Sequence, residues 1–222
     1  MKLGALFSGG KDSCLAIHKA MKEHSVVCLI SLISANPESY MFHVPNISLV
    51  DLQAETIGLP LIRKNTPGVK EEELVQLKQA IQEAKEKYKI EGIVTGAVCS
   101  IYQCSRIQKI CKELGLECIN PLWQMDEIEL LKQLKEFEVI ISGIFAYKLG
   151  KELLGKKIDE KIIAKLEKLQ KEIKINPAGE GGEIETTVLN APFFRKRIVV
   201  KDFEIDFKDN CGTYIIKRTE IE

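Results

Sequence analysis

A six-residue segment near the start of the chain, Ser8-Gly9-Gly10-Lys11-Asp12-Ser13, constrains the fold more than any other feature. It follows a short apolar run from Leu3 to Phe7 and leads into an amphipathic stretch that begins near Cys14. This order predicts a buried strand, a tight turn of small residues and a helix start. Small residues leave backbone N–H groups uncovered, and the following helix directs the positive end of its dipole at the same point. The segment therefore predicts a site for an oligophosphate.

The segment differs from two well-known phosphate-binding patterns. The spacing G-x-x-x-x-G-K-[ST] is absent around Lys11, and the segment is not G-x-G-x-x-G either. The alternative is a plain strand-to-helix turn in which Ser8 or Asp12 caps the helix. Caps seldom need two adjacent glycines flanked by these polar residues, so we favour the anion site.

Composition excludes several classes of protein. The 222 residues suffice for one large domain or a main domain with a smaller partner, and the 45% of apolar residues support a core. Lys+Arg and Asp+Glu are both 32, which argues against a stable nucleic-acid partner held by general attraction. The polar segment interrupts the apolar start at once, and no apolar run approaches a membrane span, so we expect a cytoplasmic protein without membrane contact. Seven cysteines without a C-x-x-C spacing disfavour a disulfide framework or zinc ribbon.

Strand and helix patterns alternate through the first half of the chain. Strands are predicted at 3–7, 26–34, 61–63, 92–95 and 117–119, and helices at 12–23, 47–57, 71–87 and 101–114. This alternation predicts an α/β, Rossmann-like domain whose parallel sheet is covered by helices. Ser8, Ser34 and Thr95 come at the carboxyl ends of three of these strands, where ligands of such sheets bind.

The pattern changes after residue 122, so we predict domains at 1–122 and 123–222. Helices are predicted at 127–135 and 159–171, with a strand at 139–141 between them. A glycine-rich acidic loop is predicted at 179–186, followed by strands at 195–207 and 213–218 with a hairpin turn at 209–212. The second domain is therefore a smaller α+β unit.

Three further clusters carry candidate functional residues. Tyr102 and Arg106 are about one helical turn apart after Thr95-Gly96, and the planar fork of Arg106 suits phosphate or carboxylate; an ordinary helix start with a surface arginine is the alternative. The loop at 179–186 holds three carboxylates, and its alternative is a plain flexible loop. His43 lies in an aromatic segment and has an acid–base or a packing role as alternatives.

Taken together, these segments resemble one enzyme family. SGGKDS resembles the pyrophosphate loop of the adenine-nucleotide alpha hydrolases, the N-type ATP pyrophosphatases, which cleave ATP between the α- and β-phosphates. The ordered set SGGKDS, SYMFH (39–43), GAVCSIYQCSR (96–106), PLW (121–123) and GEGGEIET (179–186) resembles the diphthine–ammonia ligases over nearly the whole chain. Ile184 stands where we expect an aromatic residue in the family, a mild departure. The resemblance implies a HUP-like sheet domain.

The resemblance also implies the reaction and its site. It implies that the carboxylate of diphthine, a modified histidine of elongation factor 2, attacks the α-phosphate of ATP, after which ammonia displaces AMP from the acyl-adenylate. The implied catalytic residues are Lys11, Asp12 and Arg106, with Mg²⁺ at Asp12. The implied ATP-binding residues are Ser8, Gly9, Gly10, Lys11, Asp12, Ser13, Ser34 and Gly96. The implied substrate-binding residues are His43, Tyr102, Gln103, Arg106, Glu180, Gly181, Gly182, Glu183, Glu185 and Thr186.

The remaining expectations concern the substrates and the alternative functions. The second domain holds no His and one Cys, Cys211, so it offers no glutaminase dyad and free ammonium is the expected nitrogen source. We hypothesise that the acidic loop receives the trimethylammonium group of diphthine, which cannot donate an N–H bond. A tRNA-modifying (thiolating) ATP pyrophosphatase and a non-catalytic nucleotide-binding regulator are the alternatives. The sequence leaves the oligomeric state, including a homodimer, open.

Overall fold

The computed structural model describes residues 1–34, 46–67, 69, 71 and 73–222. These residues form two compact units. The first contains the described residues up to Ser34 together with Ile47–Trp123, and the second contains Asn46 and Gln124–Glu222. The two units are described separately below.

The first unit is built on a parallel sheet. Its strands are β1 (Lys2–Leu6), β2 (Ser25–Ser34), β3 (Leu61–Thr66), β4 (Gly92–Val94) and β5 (Glu117–Ile119). Its helices, within the described part of the chain, are α1 (Lys11–Ala20), α2 (Val50–Ile57), α3 (Glu73–Tyr88) and α4 (Ile101–Leu114), with a 3-10 turn, Ile47–Leu49, before α2. The strand order is β3-β2-β1-β4-β5 and every pairing is parallel. The predicted Rossmann-like α/β fold of this unit is confirmed.

The strand order places a reversal of direction beside β1. The chain proceeds from β1 outward to β2 and β3, and then returns to the other side of β1 for β4 and β5. Ligands of open α/β sheets bind at such a switch point, beyond the carboxyl ends of the strands. The segment Ser8–Ser13 follows β1 directly, so it lies at this point.

The core explains why this sheet forms. Helix α3 buries Leu77, Ala80, Ile81 and Ala84 at the three- and four-residue steps that the periodicity predicts, and it packs on β2 and β3. Central strands are almost entirely apolar because helices cover them. Apolar burial of this kind stabilises by about 25 cal/mol for each Å² removed from water.

The second unit is antiparallel. Its elements are α5 (Glu127–Lys132), β6 (Glu138–Phe145), α6 (Glu160–Ile173), β7 (Ile184–Asn190), β8 (Ile198–Lys208) and β9 (Cys211–Ile221), with a 3-10 turn at Lys151–Leu153. The sheet order is β7-β6-β9-β8. Asp209 and Asn210 join β8 to β9 with positive φ angles of 50° and 66°, as a two-residue hairpin turn of the primed class requires. The predicted α+β class and hairpin are confirmed.

The sequence prediction misses β7. The predicted loop at 179–186 is wrong for its last residues, because β7 begins at Ile184 and Thr186 pairs with Ile141 of β6. The segment Ile-Glu-Thr-Thr-Val has the β-branched composition of a strand, but the neighbouring glycines and carboxylates conceal it. Strand β6 is also longer than the predicted 139–141 because its burial continues to Ile144.

No helix within the described ranges combines the length and the apolar character needed to cross a bilayer.

Candidate functional site

The phosphate loop begins helix α1 without a side-chain cap. Gly10 is the N-cap residue, with φ −85° and ψ 171°, and among the described residues no side chain accepts a bond in the capping position. The N-cap is therefore neither Ser8 nor Asp12, the two residues that the plain-turn alternative named. Because an uncapped helix start presents unsatisfied N–H groups and the positive end of the dipole, it suits an anion.

The hydroxyl groups of Ser8 and Ser13 form hydrogen bonds within the phosphate loop. Ser13 Oγ donates to the Gly10 carbonyl at 3.0 Å and is approached by the Ser8 N–H and hydroxyl at 3.4 and 3.3 Å. The Gly10 N–H reaches Ser8 Oγ at 3.4 Å, which is long for a hydrogen bond. The amide of Gly10 therefore keeps most of its capacity for a stronger acceptor such as a phosphate oxygen.

Lys11 and Asp12 form the charged part of the loop. Lys11 is only 3% exposed, and its Nζ contacts Asp12 Oδ2 at 2.7 Å. The other carboxylate oxygen, Asp12 Oδ1, is buried and has no hydrogen-bond partner in the part of the chain that the structure describes. A buried carboxylate oxygen with free lone pairs suits a hard cation, because Mg²⁺ in proteins binds through one or two carboxylates and substrate phosphates. Asp12 therefore fits the predicted Mg²⁺ contact.

A glycine is needed at position 9 because of its backbone conformation and because the Gln53 side chain lies against it. Its φ of +76° lies in the left-handed region, and an added Cβ would stand 2.1 Å from Gln53 Oε1. Gln53 of α2 is 1% exposed, and its Nε2 donates to the Gly9 carbonyl at 3.0 Å. Gln53 is not among the site residues predicted from the sequence. A signal was available, because Gln53 occupies a core position of the stripe Val50, Ala54 and Ile57, where a polar residue needs a partner.

Gly96 brings the second predicted segment onto the first. It follows β4, and a Cβ at Gly96 would lie 2.7 Å from the backbone carbon of Asp12 and 2.7 Å from the Ser13 nitrogen. The turn after β4 is held by Thr95, whose Oγ1 donates to Asn120 Oδ1 at 2.7 Å and accepts from the Ala97 N–H at 3.1 Å. The structure therefore brings Gly96 and the phosphate loop together at the switch point. Ser34 ends β2 opposite Thr66 of β3.

Tyr102 and Arg106 share one face of α4, as predicted. The Arg106 guanidinium carbon lies 3.5 Å from the Tyr102 ring centroid. The Tyr102 hydroxyl and Arg106 Nε each donate to Glu71 Oε1 at 2.8 Å, and Arg106 also forms an ion pair with that oxygen. Burial raises the pKa of the Tyr102 phenol, and the Glu71 carboxylate raises it further; the hydrogen bond to Glu71 raises the pKa of the Arg106 guanidinium. The pair thus binds a carboxylate in this structure.

Helix α4 also has an ordinary capped start, which is the alternative predicted for this segment. Ser100 is its N-cap, and Ser100 Oγ accepts from the Gln103 N–H at 3.3 Å. This bond from the Gln103 N–H to the Ser100 side chain places Gln103 in the first turn of the helix, next to Tyr102.

The acidic loop of the second unit is organised by Glu183 and Asn176. Glu183 Oε1 accepts from the Asn176 N–H at 3.1 Å, and Oε2 accepts from the Gly181 N–H at 3.0 Å. Asn176 Oδ1 accepts from the N–H groups of Ala178 and Glu180 at 2.9 and 3.4 Å. The loop is therefore held by its own hydrogen bonds. Asn176, which the sequence analysis missed, precedes Pro177 as a typical turn former.

The other predicted residues of this segment differ in position. Gly182 has a φ of +83° with open space around it, whereas Glu185 and Thr186 belong to β7, where Thr186 is buried. His43 lies outside the described residues.

Metal-binding clusters and reactive cysteines are the other features that could carry chemistry. No group of three or more His, Cys, Asp or Glu residues able to hold a metal occurs among the residues described. Cys104 and Cys111 of α4 are buried; burial raises the pKa of Cys104, and a hydrogen bond to Cys118 raises the pKa of Cys111 while lowering that of Cys118. The raised pKa values disfavour a thiolate at Cys104 and at Cys111.

Comparison with protein families accounts for nearly the whole chain. Residues 1–118 match the model of the diphthamide synthase N-terminal domain, and residues 120–221 match that of the diphthamide synthase C-terminal domain.

Individual proteins agree with the family models. The diphthine–ammonia ligase of Rattus norvegicus is 35% identical over 226 residues, covering 92% of this chain and 84% of the rat protein. That of Homo sapiens is 33% identical over 227 residues, with 92% and 85% covered. That of Schizosaccharomyces pombe is 35% identical over 227 residues, 92% of this chain but only 37% of the yeast protein. Among solved structures, a predicted subunit of a tRNA methyltransferase from Methanocaldococcus jannaschii is 20% identical with a TM-score of 0.43, covering 86% of this chain and 97% of that one.

Proposed function

This chain belongs to the diphthine–ammonia ligase (diphthamide synthase) family, and we propose that it amidates diphthine in an ATP-dependent, AMP-forming reaction. The protein substrate is elongation factor 2 carrying diphthine, and free ammonium supplies the nitrogen. ATP activates the substrate carboxylate as an acyl-adenylate, because a carboxylate is otherwise a poor acyl donor. Ammonia then displaces AMP, and pyrophosphate is the second product.

The phosphate loop is the observation that carries this proposal. It places an uncapped helix start, the Gly10 amide and the buried Lys11 ammonium together at the switch point of the sheet. These groups suit the charge that accumulates on pyrophosphate as it leaves the α-phosphate. Preorganised donors aimed at a developing oxyanion contribute about 3–4 kcal/mol each.

Asp12 is proposed to hold Mg²⁺ through its buried Oδ1, while its Oδ2 remains paired with Lys11. The cation supplies charge neutralisation for the phosphate oxygens. The ion pair fixes the direction of the carboxylate, so Lys11 both orients Asp12 and offers its own charge to the phosphates.

Arg106 and Tyr102 are proposed to bind the substrate carboxylate. Their contact with Glu71 supports this role, because it demonstrates that the planar fork and the phenol converge on one carboxylate oxygen. Gln103 is proposed to assist from the same helical turn.

The acidic loop is proposed to recognise the trimethylammonium group. Such a group is bound by charge or by aromatic faces, since it has no N–H to donate. Glu180, Glu183 and Glu185 supply that charge within the second unit, on a loop that Asn176 and Gly181 hold in shape.

The test is a substrate-omission assay on the full chain. AMP formation is measured with Mg-ATP and ammonium, with and without diphthine-bearing elongation factor 2, and again with tRNA in its place. We expect AMP only with the modified factor, and the factor to gain one amide. AMP formation driven by tRNA would favour the tRNA-modifying alternative, and ATP binding without turnover on any substrate would favour the regulator.

A further inference from the structure

We propose that Gln53 is a positioning residue for ATP: it sets the orientation of the Gly9–Gly10 peptide in the phosphate loop. The proposal rests on the function proposed above and adds a residue from α2 to it. Gln53 is not adjacent to the loop in sequence, and it contacts the loop through its side-chain amide.

The peptide group between Gly9 and Gly10 links the Gln53 contact to the phosphate site. The Gly9 carbonyl and the Gly10 N–H belong to the same planar trans unit, so they point in opposite directions. Gln53 Nε2 holds the carbonyl from the side of α2 at 3.0 Å. The Gly10 N–H must then point away from α2. With the peptide turned over, the carbonyl would present a partial negative charge where the phosphates are proposed to bind.

Burial makes this hydrogen bond costly to break. Gln53 is 1% exposed, and a buried carbonyl left without its donor pays the cost of desolvation. The glycine at position 9 fits this arrangement, because a Cβ there would collide with Gln53 Oε1. The amide therefore contacts Gly9 on both its carbonyl and its side-chain face, and restricts the peptide to one orientation.

The Gln53 contact is expected to matter for ligands that carry the pyrophosphate group and not for AMP. The Gly10 amide is proposed to serve the pyrophosphate end of ATP, so AMP, which lacks that end, does not depend on it. Loss of the Gln53 amide is expected to weaken binding of ATP and of inorganic pyrophosphate while leaving AMP binding intact. A general defect of folding would affect all three ligands.

The experiment compares Gln53→Met with Thr56→Val by calorimetric titration of the full chain with Mg-pyrophosphate, Mg-ATP and AMP. Thr56 is a matched control on the same helix, because it is 0% exposed and the one partner of its hydroxyl among the described residues is the Gln53 carbonyl of the same helix, at 2.8 Å. For Gln53→Met we expect pyrophosphate affinity to fall about tenfold or more, as for loss of a hydrogen bond to a charged group, with AMP affinity unchanged. Thr56→Val is expected to bind all three ligands as the wild type does.

Three results would overturn the proposal. They are unchanged pyrophosphate affinity in Gln53→Met, an equal loss for AMP, or an equal loss in Thr56→Val. If Gln53→Met does not fold, Gln53→Leu replaces it, because leucine is likewise apolar and cannot donate to the Gly9 carbonyl, and the same three results decide. Failure of the wild type itself to bind pyrophosphate would instead contradict the proposed function, and the role of Gln53 with it.

Discussion

In the phosphate site, the turn after β4 can approach the backbone of α1 closely only because Gly96 has no side chain. Gly96 lies against the first turn of α1, where the atoms nearest to an added Cβ are backbone atoms of Asp12 and Ser13. Backbone cannot move aside as the end of a flexible side chain can. The absence of a side chain at Gly96 is therefore a condition for the position of the loop.

Gly96→Ala is expected to displace the first turn of α1 and to lower kcat/KM for ATP at least tenfold, with a stability loss of about 1–3 kcal/mol from overpacking. Steady-state kinetics and urea unfolding measure both. Gly150→Ala is the matched control, because the three atoms nearest to its Cβ would belong to the flexible carboxylate of Glu152. Wild-type kinetics in Gly96→Ala would contradict the assigned contact.

Glu183 holds the acidic loop through both of its carboxylate oxygens. Glu183→Gln replaces one accepting oxygen by an NH₂ group, so one of the two loop amides loses its acceptor. We expect kcat/KM for the diphthine-bearing factor to fall at least tenfold while ATP affinity is retained. Glu167→Gln, on the exposed face of α6, is expected to behave as wild type. Amidation at the wild-type rate in Glu183→Gln, and likewise in Glu185→Gln, would reject the role of this loop.

At the level of elements, local rules explain most of what could be predicted. Helix α4 was predicted with the same ends as observed, since Ser100 caps its start and Gly115 follows its last residue. Helix α2 likewise ends before Gly58. Strand β7 was missed because its partner residues in β6 lie 40 to 52 positions earlier in the chain, and pairing over that separation leaves no local trace beyond composition.

The cap of α4 provides a test at this scale. Ser100→Ala removes the acceptor of the Gln103 N–H and is expected to lower the free energy of unfolding by about 1 kcal/mol. Ser105→Ala, within the same helix, is expected to change it by less than about 0.5 kcal/mol because Ser105 is exposed. Urea denaturation measures both variants. Equal stability of the two would mean that the cap contributes nothing.

At the level of the whole molecule, order along the chain carried more information than any single motif. SGGKDS alone indicated a phosphate site, and the set of segments from Ser8 to Thr186 indicated the family to which the chain belongs. The supporting residues could not be found in this way. Gln53, Glu71 and Asn176 act through contacts made only after folding, with partners 7 to 44 residues away.

The identity of the broken phosphate bond tests the central claim most directly. Phosphorus NMR of a reaction containing Mg-ATP, ammonium and diphthine-bearing elongation factor 2 reports every nucleotide product. The account predicts one AMP and one pyrophosphate for each amide formed, with no product when the modified factor is omitted. Release of ADP and orthophosphate would contradict it, because the loop would then bind the wrong phosphates for attack at the α-phosphorus.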